Sequence, residues 1–317
     1  MKKFVSCMVI FAMIACLFAG CGAPADDGVT KVAIVQQLDH SSLDEIRTAI
    51  EAELTASGIQ FEVFNGQNDT TILNQIGAQV VSDNFDAIIP IATLAAQCMV
   101  TAAEDYDIPI IYAAISDPVG AGLTGMNNVT GVSDALNTAF IMDMMFAANP
   151  NITCVGLLYS NSEPNSLVPI AEAKMYLDAR GIPYLEKTGT TADEILTAAS
   201  SLVGRCDAVF TPTDNAVMAA EGAVAEILNA ANIPHYAGAD SFVTSGAFAT
   251  CGVNYTELGT YAAKMAIDIL TGGSVLDFHV MEGGIITVNT ETATALNLDY
   301  SVFGTMANTI VEVTTNQ

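Results

Sequence analysis

The chain runs to 317 residues, 51% of them apolar, and carries 35 acidic against 9 basic side chains for a formal charge of -26 at pH 7. Such an acidic balance argues against nucleic acid and anionic membrane surfaces as partners and reads as a solvated surface. The length sits where a single hydrophobic core divides in two.

Lys2 and Lys3 precede an apolar run from Phe4 to Phe18, too short and wrongly flanked for an ordinary membrane span, which reads as a secretory signal. Its ending, Ala19-Gly20-Cys21, resembles a bacterial lipoprotein processing site. That resemblance implies a lipoprotein signal peptide over residues 1–20, lipidation at Cys21 and a lipidated tether over residues 21–30. Seven cations then remain: Lys31, Arg47, Lys174, Arg180, Lys187, Arg205 and Lys264. None follows an apolar strand, which disfavours a site for phosphate esters or dicarboxylates. Cys98, Cys154, Cys206 and Cys251 are scattered, with no C-x-x-C pair and no clustered histidines, and are expected as buried free thiols without a metal.

Apolar strand candidates begin near residues 31, 60, 86 and 109, and again near 153, 183, 207 and 234. The spacing, roughly 22–30 residues, is that of a strand, a helix and two short loops. Leu43, Ile46, Ile50 and Leu54 form one face of the first helix, entered through Ser42 and Glu45 in a capping-box pattern. Val217, Ala220, Val224 and Leu228 stripe a later helix, and Leu258, Tyr261, Met265 and Ile269 another. This α/β alternation predicts two Rossmann-like lobes with parallel sheets covered by helices.

Asn127 to Ser133 has strand composition but falls between the two series, and reads as a strand crossing between lobes. A return crossing is expected at Gly252-Val253-Asn254 and a last one before Ile285. Lobe 1 is then 31–131 plus 253–277, and lobe 2 is 132–252 plus 278–317.

Ligands of open parallel sheets bind beyond the carboxyl ends of the strands. Those ends are polar here: Gln37 to Ser41, Thr93, Ser116-Asp117, Ser160 to Ser166, Thr213-Asp214-Asn215 and Asp240-Ser241. Each residue could equally be a helix N-cap, worth about 1 kcal/mol. The richest stretch is Thr153 to Ser166, where an apolar strand delivers Ser162, Asn165 and Ser166 to a helix start beside Glu163. Donors for a carboxylate beside an acceptor for an ammonium are what a free amino acid requires. No catalytic constellation accompanies them. The histidines, His40, His235 and His279, lie apart, and no G-x-S-x-G elbow or phosphate-binding glycine loop occurs.

The ordered motifs VAIVQQLDHSSLDE, IPIATLAAQ, AAISDPVGAGL, NNVTGVSD, GLLYSNSEPNS, FTPTDNAV, GAFATCGVNYTELGTYAAKMA and ILTGG span Lys31 to about Leu298. Together they resemble the ABC transporter substrate-binding family that includes tryptophan, tyrosine and phenylalanine importers. The resemblance implies a type I periplasmic-binding-protein fold with three hinge crossovers. It implies a monomer that uses no cofactor and performs no chemistry, touching the membrane only through its lipid. It also implies an extracytoplasmic place, an amino-acid ligand that is commonly aromatic, and a permease with its ATPase as partners. Thr93, Ser116, Asp117, Glu163, Asn165, Ser166, Asp214, Asn215 and Asp240 are the matching pocket positions. The ligand carboxylate is expected at the helix starts after Thr93 and Glu163, and the ammonium at Asp214 or Asp240. Two departures stand out: Leu94 replaces a frequent proline, and tryptophan is absent, leaving Tyr112, Tyr159, Phe242 and Tyr255 for stacking. The rival readings are a nucleoside or sugar binder and a ligand-sensing lipoprotein that meets a receptor.

Overall fold

A computed structural model describes residues 30–316; the signal segment, Cys21 and the tether up to residue 29 lie outside them. From Lys31 strands and helices alternate: β1 (Lys31–Gln36), α1 (Ser41–Ala56), β2 (Gln60–Asn65), α2 (Thr70–Ser82), β3 (Ala87–Ile91), α3 (Thr93–Ala102), β4 (Ile110–Ala113) and β5 (Val129–Ser133). After α4 (Thr138–Ala148) the rhythm restarts with β6 (Val155–Tyr159), α5 (Leu167–Arg180), β7 (Tyr184–Thr188), α6 (Ala192–Ser200) and β8 (Ala208–Thr211). It continues through α7 (Asn215–Met218), α8 (Glu221–Ala230), β9 (His235–Ala237), α9 (Asp240–Thr244) and β10 (Ala249–Gly252). The last elements are α10 (Tyr255–Leu270), β11 (His279–Val280), β12 (Ile285–Asn289), α11 (Thr290–Ala295) and β13 (Thr309–Val313).

Two sheets result. The first has the order β11-β5-β4-β3-β1-β2 and the second β13-β12-β10-β9-β8-β6-β7. All pairs in the first are parallel, and in the second only β10 with β12 is antiparallel. The central strands β3, β4, β6 and β8 are buried along their whole length, which is why they read as unbroken apolar runs rather than alternating ones.

The chain passes between the sheets three times, at residues 134–137, 253–254 and 281–284. The strand expected to make the first crossing is instead β5, paired with β4 from Val129 to Val132, and the crossing follows it. β11 pairs with β5, so the first sheet extends past residue 277. All three crossings border one groove, lined among others by Asp134, Asn137, Val253, Gly283 and Gly284.

Three local expectations are corrected. The stripe from Val217 to Leu228 belongs to two helices, α7 and α8, broken at Ala219 and Ala220. On α10 the buried face is Leu258, Gly259, Ala262, Ala263 and Ala266, while Tyr261 is exposed. Small residues win there because α10 packs closely on α1: a Cβ on Gly259 would lie 2.4 Å from the Ile46 carbonyl oxygen. The capping box of α1 does not form, since Glu45 accepts from the backbone N–H of Thr256 at the start of α10 (2.9 Å) and Ser42 faces Asp240. Of the four free cysteines among the described residues, Cys206 and Cys251 are buried and Cys98 and Cys154 half-buried.

Candidate binding cavity

The carboxyl ends of the strands in the two sheets face one another across a narrow cavity. Its lining joins apolar side chains to a few polar groups, which is the make-up of a small-molecule site. Thr93, Ser116, Asn165, Asp214 and Asn215 line it, together with His40, Ser42, Leu43, Asp134, Thr213, Met218, Ser241, Phe242 and Tyr255. Five of the nine expected residues therefore meet there. Of the four aromatic candidates, Phe242 and Tyr255 line the wall, whereas Tyr112 is buried in the first sheet and the Tyr159 hydroxyl is bound to Glu186.

The other four have different work. Asp117 accepts from the backbone N–H of Gly120 (2.9 Å) and shapes the turn after β4. Ser166 is fully buried and donates to Asp214 (2.7 Å). Asp240 is held by Ser42 at 3.5 Å, and burial, helped by Glu45, pushes its carboxyl up to about 6. Glu163 is fully buried behind the wall, where its two oxygens accept from Gln37 (3.1 Å) and Asn215 (2.9 Å). Asp214, although it borders the cavity, caps α7 and already accepts from the N–H of Ser160 (2.7 Å), the hydroxyl of Ser166 and the N–H of Val217 (2.9 Å).

Asp134 is the carboxylate that sequence reasoning missed. It is nearly fully buried and lines the cavity, and among the described residues the side chains that donate to it are the hydroxyls of Ser116 (3.0 Å) and Tyr255 (3.5 Å). Burial drives its carboxyl above the ordinary range. The signal was present, since Asp134 directly follows a strand, but that strand had been read as a crossing. A continuous belt runs onward from it: Ser116 meets Thr213 Oγ1 (3.0 Å), and the Asn165 amide donates to the Thr213 carbonyl (2.6 Å). The side-chain oxygen Oδ1 of Asn165 is buried with no hydrogen-bond partner among the described residues.

The start of α3 reaches the same cavity through Thr93. Its Leu94 N–H donates to Gln37 Oε1 (3.1 Å), a bond that a proline at this position could not make. The N–H groups of Thr93 and Ala95 find no protein acceptor among the described residues and remain free for an anionic group. Ala92 and Ala114, which directly follow β3 and β4 at the cavity, both adopt left-handed backbone (φ 75° and 58°). Such conformations cost about 1–3 kcal/mol each and gather at ligand sites.

Among the described residues no Lys or Arg lines the cavity, and burial lowers the His40 pKa, which favours the neutral imidazole. Asp134, Glu163 and Asp214 thus share the region without a protein cation. The halves are also joined directly. Besides Gln37 with Glu163 and Ser116 with Thr213, His40 Nε2 meets Asn215 Oδ1 at 3.1 Å. These bonds link loops of the first sheet to loops of the second, which is a closed arrangement.

Comparison with known proteins agrees with this geometry. A family model described as ABC transporter substrate binding protein matches residues 31–302. A tyrosine-binding protein of Clostridioides difficile (strain R20291) is 34% identical over 280 residues, covering 84% of this chain and 81% of the relative. The structure of an ABC domain from Streptococcus pneumoniae in complex with L-Trp, 27% identical, superposes with a TM-score of 0.83 over 89% of this chain and 100% of that one. A ligand-free, open substrate-binding protein from Clostridium difficile is 32% identical, yet its TM-score is 0.68 over 91% of this chain and 100% of that one. The greater likeness to the liganded structure, despite lower identity, fits the closed arrangement.

Proposed function

The chain belongs to the ABC transporter substrate-binding protein family, and from that premise we propose that it captures a free aromatic amino acid between its two lobes and delivers it to a permease driven by a separate ATPase. The family is one of binding proteins rather than enzymes. The observation that carries the amino-acid reading is the buried Asp134 carboxylate, which faces the cavity with no cation of the protein beside it. An ammonium brought by the ligand supplies that missing charge in a setting where a charge pair is worth more than at an open surface. Asp134 thereby replaces Asp214 and Asp240 as the proposed ammonium acceptor. The ligand carboxylate goes to the free N–H groups of Thr93 and Ala95 and the Thr93 hydroxyl, and the ring lies against Leu43, Met218 and Phe242. The tyrosine-binding relative and the complex with L-Trp support an aromatic side chain.

Thermal melting against the twenty amino acids, nucleosides and simple sugars tests this. At about a hundred times its Kd a ligand adds about 2.7 kcal/mol of stability, so one or more of Tyr, Trp and Phe will raise Tm by several degrees. A response confined to nucleosides or sugars overturns the reading.

The same proposal places the protein outside the cytoplasmic membrane, anchored through lipid on Cys21. Among the described residues no helix is long and apolar enough to cross a membrane. A Cys21→Ser variant will move from the membrane fraction to the soluble one; retention in the membrane fraction would refute the anchor.

A further inference from the structure

Resting on the aromatic amino-acid reading, we propose that His40 reads a ring hydroxyl on the ligand, so that the cavity selects tyrosine over phenylalanine. His40 stands just before α1 and lines the cavity; its Nε2 is bound to Asn215 Oδ1 at the start of α7. Its other ring nitrogen, Nδ1, is shielded from solvent and has no hydrogen-bond partner. A polar atom left so is costly, and a ligand group that satisfies it recovers that cost.

The position of His40 assigns it to the ring end of the ligand. The polar belt of Asp134, Ser116, Thr213 and Asn165 is linked by its own hydrogen bonds and forms the ammonium end. Leu43 lies one helical turn beyond His40, and Met218 one turn beyond Asn215, and both line the cavity. The bonded pair His40–Asn215 is therefore rooted on two of the three helices that supply the apolar wall, the third giving Phe242.

The chemistry selects a hydroxyl. With Asn215 Nδ2 donating to the Glu163 carboxylate, Asn215 Oδ1 accepts from His40 Nε2–H, and Nδ1 is left as an acceptor. With the Asn215 amide reversed, as it must be when Glu163 carries a proton and donates it to Asn215, His40 Nε2 accepts and Nδ1–H becomes a donor. A phenol answers both cases because it donates and accepts, whereas the phenyl ring of phenylalanine answers neither. Sites built to bond a substrate hydroxyl reject the analogue lacking it strongly, because the buried polar group is then left unpaired.

Titration calorimetry with L-tyrosine and L-phenylalanine on the wild type, His40→Ala and His40→Gln tests this. The wild type will bind tyrosine at least tenfold more tightly than phenylalanine, His40→Ala will bring the two within about threefold, and His40→Gln, whose amide can still meet a hydroxyl, will keep part of the preference. The ratio isolates the ring contact, because loss of the His40–Asn215 bond weakens closure on both ligands alike. Equal binding of the two amino acids by the wild type, or an unchanged preference in His40→Ala, overturns the inference and leaves the amino-acid reading standing. Failure of the wild type to bind either one brings down the amino-acid reading and this inference with it.

Discussion

Asp134→Asn will weaken binding of the amino-acid ligand about a hundredfold or more while raising the melting temperature of the ligand-free protein. The substitution preserves shape, and the amide can still accept from Ser116 and donate to the Tyr255 hydroxyl, the two groups that hold the native carboxylate. What it removes is charge. Truncating one partner of a buried charge pair costs about 2–5 kcal/mol, and a hundredfold loss corresponds to about 2.7 kcal/mol. Stability moves the other way because no protein cation offsets the buried charge when the site is empty. Burial raises the folded-state pKa of Asp134 above its ordinary 3.8, so its contribution to stability is fully present below that value and is lost as pH rises through the raised one. The variant, which has no proton to lose, will melt with the wild type in acid and above it near neutrality. Titration calorimetry and melting curves from pH 4 to 8 read both effects. Unchanged affinity would remove Asp134 from the ligand, and a variant less stable than the wild type at neutral pH would mean that the carboxylate has a structural partner.

The reason Asp134 escaped sequence reasoning says which part of the site is legible in one dimension. The βα rhythm announces itself because strands buried on both faces must be apolar throughout, and the polar residues that follow them then mark the cleft. Thr93, Ser116, Asn165 and Asn215 follow strands in this way and line the cavity. What the pattern does not say is where each polar group spends its hydrogen bonds. Asp214 looks like a ligand carboxylate and is a helix cap whose oxygens are taken by Ser160, Ser166 and Val217. Glu163 looks like an acceptor for an ammonium and instead joins the two halves. The exchange of proline for Leu94 looks like a disturbance of the rim and supplies an N–H to Gln37. Apart from the cap that Asp214 makes to Val217, three residues on, these bonds reach partners 48 or more residues away, which periodicity and spacing do not carry.

Glu163→Gln, finally, will flatten the fall in stability that the wild type shows as pH rises. Glu163 is fully buried with no cation among its partners, and burial first, then the charge of Asp214, pushes its carboxyl far above the ordinary 4.5. Burial raises Asp214 as well, but the Ser166 hydroxyl and the N–H groups of Ser160 and Val217 favour its ionised form, so the shared proton belongs on Glu163. A raised folded-state pKa makes stability greatest below 4.5 and drains it as pH climbs through the raised value, by up to about 1.4 kcal/mol per pH unit for one proton. Glutamine imitates the neutral acid and cannot ionise. The two proteins will therefore melt together near pH 4 and diverge steadily above it, with the variant the more stable at pH 9. Asp134 and Asp240, also raised by burial, titrate in both proteins and cancel in the difference. Because Glu163 bonds Gln37 across the cleft, the same variant will keep its grip on ligand at alkaline pH where the wild type loosens. Parallel melting curves across the whole range would show that Glu163 is ionised in the closed cleft already, and would end its role as a proton-holding latch.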